Sequence, residues 1–287
     1  MSELSFLDSL EISDEQVNSP YFGIVFGPPG CGKSWLCRFA PNPFYIATEK
    51  GVEKVPNIGK FIVNKGTDQE RVRMPENLDQ FFDMARYFIT TNHDYKTIVI
   101  DSGKFVDKLI IDDVIKNNPT ETIKKVEVKV ESIGDYNFGK GYSKALSQWN
   151  KFLTAVDFLN KKGINVILIA HSHDKNVQNL SGEDYKKQKI DMLEFGNFSA
   201  PALLSAKADF VYYMRSESKT RNVTSNFGAS KTIATMGSNP DIMLYTRSQS
   251  GFDAKVRTSK KDNIPDYYKI NLDDDESSKQ VFLDLEK

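Results

Sequence analysis

The chain has 287 residues, 38 Lys and Arg against 39 Asp and Glu, a net charge of −1, and only two cysteines, Cys31 and Cys37. That length suits one large α/β domain with a sizeable core, and the two cysteines exclude a disulfide framework and a cysteine-rich metal site. No apolar run is long enough to span a membrane and the amino terminus is acidic rather than signal-like, so a cytoplasmic protein with no membrane partner is expected.

Residues 1–19 read as a flexible acidic lead-in. A short apolar strand, Tyr21–Phe26, then runs into Gly27, Pro28, Pro29, Gly30, Cys31, Gly32, Lys33 and Ser34. This is the spacing of a phosphate-binding loop. Glycines let backbone N–H groups close around an anion, and a following helix adds partial positive charge. Trp35, Leu36, Phe39 and Ala40 have helical spacing behind the loop. Lys33 is placed to reach the outer phosphates and Ser34 to ligate Mg²⁺. The next strand, Pro43–Thr48, ends in Glu49, a carboxylate suited to orienting or deprotonating a water beside a γ-phosphate, with Glu53 as the fallback. The strand Thr97–Asp101 ends in Asp101, a second oxygen donor for Mg²⁺.

Glu131–Tyr142 carries Gly134, Gly139 and Gly141 and reads as an irregular loop. Its Tyr136, Phe138, Lys140 and Tyr142, with Lys144 just beyond, interleave aromatic rings with lysines, a pattern suited to stacking on bases and contacting phosphates. A helix follows from about Ser143 to Lys161, with Leu146, Trp149, Leu153, Val156 and Leu159 on one face. The strand Asn165–Ala170 delivers His171, Ser172 and His173. Of these, His171 is placed to sense the γ-phosphate; a metal site with His173 and Asp174 is the rival. Asp174–Ala200 reads as a second polar loop, bearing Lys175, Tyr185, Lys186, Lys187 and Lys189. After a strand at Phe210–Met214, residues 220–270 read as short strands forming a β-hairpin edge, and 273–287 as a mobile acidic tail. Strands alternating with helices imply a parallel sheet covered on both faces.

The near-zero net charge hides an asymmetry. Residues 1–18 carry −5 and residues 273–287 carry −4, so the body from 19 to 272 carries +8. A basic body with acidic ends suits a nucleic-acid binder.

The order of these motifs resembles the RecA-like recombinase core over roughly residues 20–270. Glu49 sits where that family has its catalytic Glu, and Ile98–Ser102 looks like its second nucleotide motif. The segment from Val130 to Gly139 resembles its first DNA loop, and His171 takes the place of a Gln switch. Gly139–Tyr142 and the Ala-Lys-x-Arg of Ala254–Arg257 are similar to elements of the short RecA-like ATPases of phages, a group that includes single-strand annealing proteins. The resemblance implies a RecA-like P-loop NTPase core at 20–272 that binds ATP and Mg²⁺. It implies a homo-oligomer, as ring or filament, acting on single-stranded DNA, with a single-strand DNA-binding protein as a further partner. In this family ATP lies between subunits, which makes Lys255, Arg257, Lys260 and Lys261 candidates for a cation supplied in trans. The long amino-terminal oligomerisation helix of bacterial RecA is absent from the match. Two other readings stay open: a hexameric helicase-like motor, and an NTP-driven assembly switch with no DNA role.

Overall fold

A computed structural model describes residues 19–178, 183–217, 220–224, 230–234, 241–257 and 264–286. In chain order the first strands and helices are β1 (Phe22–Gly27), α1 (Lys33–Cys37), β2 (Pro43–Ala47), β3 (Gly59–Lys60), β4 (Ile62–Val63), β5 (Arg71–Val72), α2 (Leu78–Thr90), β6 (Thr97–Asp101) and α3 (Gly103–Asn117). The middle contains β7 (Thr120–Ile123), β8 (Val126–Lys129), α4 (Lys140–Lys161), β9 (Asn165–Val177), β10 (Tyr185–Ile190), β11 (Glu194–Phe195), β12 (Phe198–Ser199) and α5 (Ala200–Lys207). The last part holds β13 (Phe210–Glu217), β14 (Thr220–Thr224), β15 (Ser230–Ala234), β16 (Asp241–Tyr245), β17 (Lys255–Val256), β18 (Tyr267–Ile270) and α6 (Asp275–Glu286).

The central sheet has the order β18-β16-β13-β1-β9-β6-β2-β3, with β10 added to β9 and β17 to β13. From β13 to β3 every pairing is parallel. Strands β1, β2 and β6 are buried along their whole length. Parallel strands buried on both faces need continuous apolar runs rather than alternation, which explains Ile98–Ile100 and Val166–Ile169. Beyond β13 the sheet turns antiparallel through β16 and β18. These two form the carboxy-terminal edge, while among the described residues β14 and β15 pair only with each other.

Successive residues of β1 face opposite cores. Phe22, Ile24 and Phe26 join Trp149, Phe81, Ile110 and Leu204 under α2, α3, α4 and α5. Val25 joins Leu36, Tyr45, Tyr212, Val281 and Phe282 under α1 and α6.

Four expectations need correction. Helix α1 stops at Cys37; Pro41 and Pro43 follow closely, and proline together with the residue before it resists continuation of a helix. The first irregular loop is two single 3₁₀ turns, Ile133–Asp135 and Asn137–Gly139, and α4 begins three residues before Ser143. The second polar loop is a β-ribbon, because β9 runs on past the sheet to Val177 and pairs antiparallel with β10. The acidic tail is helix α6, with Val281 and Phe282 buried and Asp284 accepting from Tyr268.

Candidate functional site

Strand β1 delivers Gly27 to the carboxyl edge of the sheet, beside the ends of β2, β6 and β9. Open parallel sheets bind ligands at this edge. The loop packs tightly on its neighbour β13: a side chain at Gly27 would overlap the Met214 carbonyl, and Cys31 Sγ lies 3.4 Å from that same oxygen. Burial pushes the Cys31 thiol up, against the opposing pull of Lys33. Gly32 has φ of 97°, a left-handed conformation that only glycine adopts without strain. With α1 only five residues long, the loop's own N–H groups matter more for an anion than a helix dipole does.

Lys33 is 5% exposed, and its ammonium donates to the carbonyls of Gly27 at 2.9 Å and Pro28 at 2.7 Å. The Ser34 hydroxyl donates to the Asp101 carboxylate. Burial raises the Asp101 carboxyl, and the Ser34 hydrogen bond works in the other direction. Ser34 and Asp101 together form the hard-oxygen pair that suits Mg²⁺, and a buried ammonium beside a glycine cradle suits a polyphosphate. The residues present therefore fit both groups.

Glu49 lies past the end of β2 and accepts from the Ser102 hydroxyl and from His171 Nε2 at 3.4 Å. The His171 hydrogen bond is the main cause holding the Glu49 carboxyl below its ordinary value; the Ser102 hydrogen bond adds to it and partial burial opposes it. Thr48 fixes the geometry from behind, accepting from Ser102 N–H at 2.5 Å and donating to Ser102 O at 3.1 Å. Glu53, by contrast, is exposed on the following 3₁₀ helix. The structure thus joins three strand ends, β2, β6 and β9, in one hydrogen-bonded cluster. Ser102 and Thr48 stand in the motif and strand that the sequence marks but carry no role there; the Thr-Glu and Asp-Ser pairs closing two apolar strands are the signal for them. Among the described residues, no group of three or more His, Cys, Asp and Glu is arranged to hold a metal, so the rival His171, His173 and Asp174 site does not form.

The basic candidates scatter. Val211 pairs with Lys255 and Phe210 with Val256, at the amino-terminal end of β13. In β1 the register partner of Phe210 is Gly23, four residues before the loop, or about 13 Å along a strand. Lys255 and Arg257 therefore lie at the far edge of the sheet from this chain's own loop. Lys260 and Lys261 lie outside the described residues.

The nucleic-acid candidates divide. Tyr136 is buried, and its hydroxyl donates to Val114 O and Asn118 O; it is a core residue, not a stacking platform. Phe138 is 96% exposed and held at φ 54°. Tyr142 stacks on Phe195 with ring centroids 4.4 Å apart, so the two loops meet in space. Phe195 is half-exposed, and without lysines interleaved around it the segment Phe195–Phe198 does not repeat the aromatic-plus-lysine pattern of the first loop. Lys140 pairs with Glu121, Lys175 with Glu194, Lys186 with Asp174 and Lys187 with Asp253, while Lys144 donates to Asn118.

No helix among the described residues is long and apolar enough to cross a membrane. A search of curated proteins returned no match. The family model described as AAA domain matches residues 19–258, a span that holds the phosphate loop, Glu49, Asp101, Ser102 and His171. With most of its length matched and a phosphate loop at the carboxyl edge of a mainly parallel sheet, the chain belongs to the AAA domain family of P-loop ATPase-like proteins.

Proposed function

We propose that the chain hydrolyses ATP with Mg²⁺ and uses the cycle to act on single-stranded DNA, as a RecA-like protein of the phage recombination type. The observation that carries the hydrolytic part is the Glu49–Ser102–His171 cluster beside the Lys33 loop. A carboxylate kept ionised by two donors is a poor proton acceptor but a good aligner of water. Glu49 therefore holds the attacking water in line, and Lys33 moves from its carbonyl partners onto the phosphates as charge builds there. When bound, Mg²⁺ neutralises phosphate charge beside Ser34 and Asp101.

His171 gives the site a way to report. It sits on β9, and the same strand runs on into the ribbon carrying Lys175, Lys186 and Lys187. Its carbonyl accepts from Asp191 N–H at 2.8 Å, behind β10. A change at the γ-phosphate that moves His171 moves the ribbon, and with it the segment that stacks Phe195 on Tyr142. Phe138, Tyr142 and Phe195 form the base-stacking surface of this reading. In a homo-oligomer, the remote Lys255 and Arg257 serve a neighbour's site rather than their own.

A second reading has its own support. Most lysines near the aromatic cluster are already paired with carboxylates, which favours a nucleotide-driven switch with no DNA role. Steady-state ATP turnover with and without single-stranded oligonucleotide separates the two. Stimulation by the oligonucleotide supports the recombination reading, and turnover indifferent to it supports the switch. No turnover under either condition overturns the ATPase assignment.

A further inference from the structure

The residues at the phosphate end all come from one side of β1: Glu49 from the end of β2, Asp101 from β6 and His171 from β9. The nucleoside of the same substrate must leave the loop on the other side, over β13, β16 and β18. That side is closed by residues beyond the family match, which ends at 258. Strand β18 ends at Ile270, and Leu272 behind it packs on the phosphate loop, where a Cβ added to Gly32 would meet it at 3.1 Å. Asp275 then opens α6 and pairs with Arg38 at 2.8 Å.

Arg38 follows α1, and its guanidinium lies over the rings of Trp35 at 3.9 Å and Phe39 at 4.3 Å. The side chain is 9% exposed, yet its Nε has no hydrogen-bond partner among the described residues. The indole Nε1 of Trp35 is likewise buried and without a partner among the described residues. Buried donors are nearly always paired, because leaving one unmade is costly. Two such donors lie side by side where the chain leaves the loop, since Trp35 directly follows Ser34.

We infer that Trp35, Arg38 and the strap Leu272–Asp275 form the site for the ribose and base of the nucleotide. The inference rests on the ATPase reading above. Ribose hydroxyls and base ring nitrogens supply the acceptors that the two N–H groups lack, and Leu272 gives the base an apolar wall. The Arg38–Asp275 pair makes the acidic helix α6 part of the nucleotide site. Asp275 acts as a positioning residue through Arg38.

Binding of MgADP and of inorganic tripolyphosphate to the full chain, each by calorimetry, tests this. Trp35→Phe keeps a ring but removes the donor; Asp275→Asn, at a half-exposed position, breaks the strap's ion pair without disturbing the core. Each is expected to weaken MgADP by about tenfold, the worth of one good hydrogen bond, and to leave tripolyphosphate within about twofold. In the parent chain MgADP should change tryptophan fluorescence and tripolyphosphate should not. Trp149, the other indole, is fully buried under the opposite face of the sheet and serves as the silent background. Equal weakening of both probes, or of neither, overturns the inference while leaving the phosphate loop assigned. A parent chain that binds neither probe overturns the inference and the ATPase reading together.

Discussion

Asp107 offers a quantitative test of how the two candidate DNA segments are anchored. It lies inside α3 and is almost completely buried. Its carboxylate accepts from Trp149 Nε1 of α4 at 2.9 Å and from the Leu193 N–H just beyond β10. Burial raises this carboxyl from 3.8 to about 6, and the two N–H donors only partly offset that. An acid whose pKa is higher in the fold than in the unfolded chain stabilises the fold at low pH and loses that contribution as pH rises. Here the loss spans roughly pH 4 to 6, and a change from 3.8 to about 6 is worth about 3 kcal/mol. Asp107→Asn removes the titration. Its single carbonyl oxygen serves one donor well, so the variant also pays a pH-independent cost of about 1–3 kcal/mol for the other. Urea unfolding of parent and variant from pH 4 to 7 therefore gives a stability difference that moves by about 3 kcal/mol in favour of the variant as pH rises. Comparing the two chains cancels the other carboxylates. A difference constant to within about 0.5 kcal/mol would refute the reasoning, because it would mean that Asp107 carries the same charge folded and unfolded.

Lys33→Ala should abolish ATP turnover with the circular dichroism spectrum intact; near-normal turnover sinks the loop assignment. Glu49→Ala removes both the acceptor for Ser102 and the group that aligns the water, so MgATP should still bind while turnover falls by about 10²-fold. An unchanged rate moves the role to another carboxylate. Phe138→Ala with Phe195→Ala should weaken single-stranded DNA by about 1–3 kcal/mol per lost stack, whatever the sequence, with ATP affinity unaltered; fluorescence anisotropy across a salt series reads this. Deleting residues 273–287 removes Val281 and Phe282 from the core, at about 1.5–3 kcal/mol each. A truncated chain that melts with the parent would contradict the packing of α6.

What the sequence made legible is what local pattern encodes. The phosphate loop announces itself by spacing. Glu49, Asp101 and His171 stand at the ends of apolar strands, so parallel pairing alone places them along one edge. Tyr136 misled because aromatic-plus-lysine spacing looks the same in a binding loop and in a turn pinned to the core. Its partners, Val114 and Asn118, lie 22 and 18 residues away, out of reach of any local reading. The β9–β10 ribbon was hidden because its outer half, Asp174–Val177 against Tyr185–Gln188, is polar and projects past the covered sheet. In α6, the acids at 273–276 masked the few apolar residues that dock it. Trp35 and Arg38 read as ordinary helix residues, since only the fold brings Leu272 and Asp275 to them.

The docking of α6 also orders events in time. The face of the sheet that holds α1 closes only when β18 and α6 pack against Leu36, Tyr212 and Leu244. During synthesis those last elements are still inside the ribosome after the whole 19–258 span has emerged, so the nascent chain presents an apolar sheet face to solvent. Such exposed faces recruit chaperones and favour misassembly. The core on the α1 face therefore closes after translation of residue 286 and not before. Ribosome-stalled chains ending near residue 260 should be bound by holdases, whereas chains extended past 286 by a linker should be released.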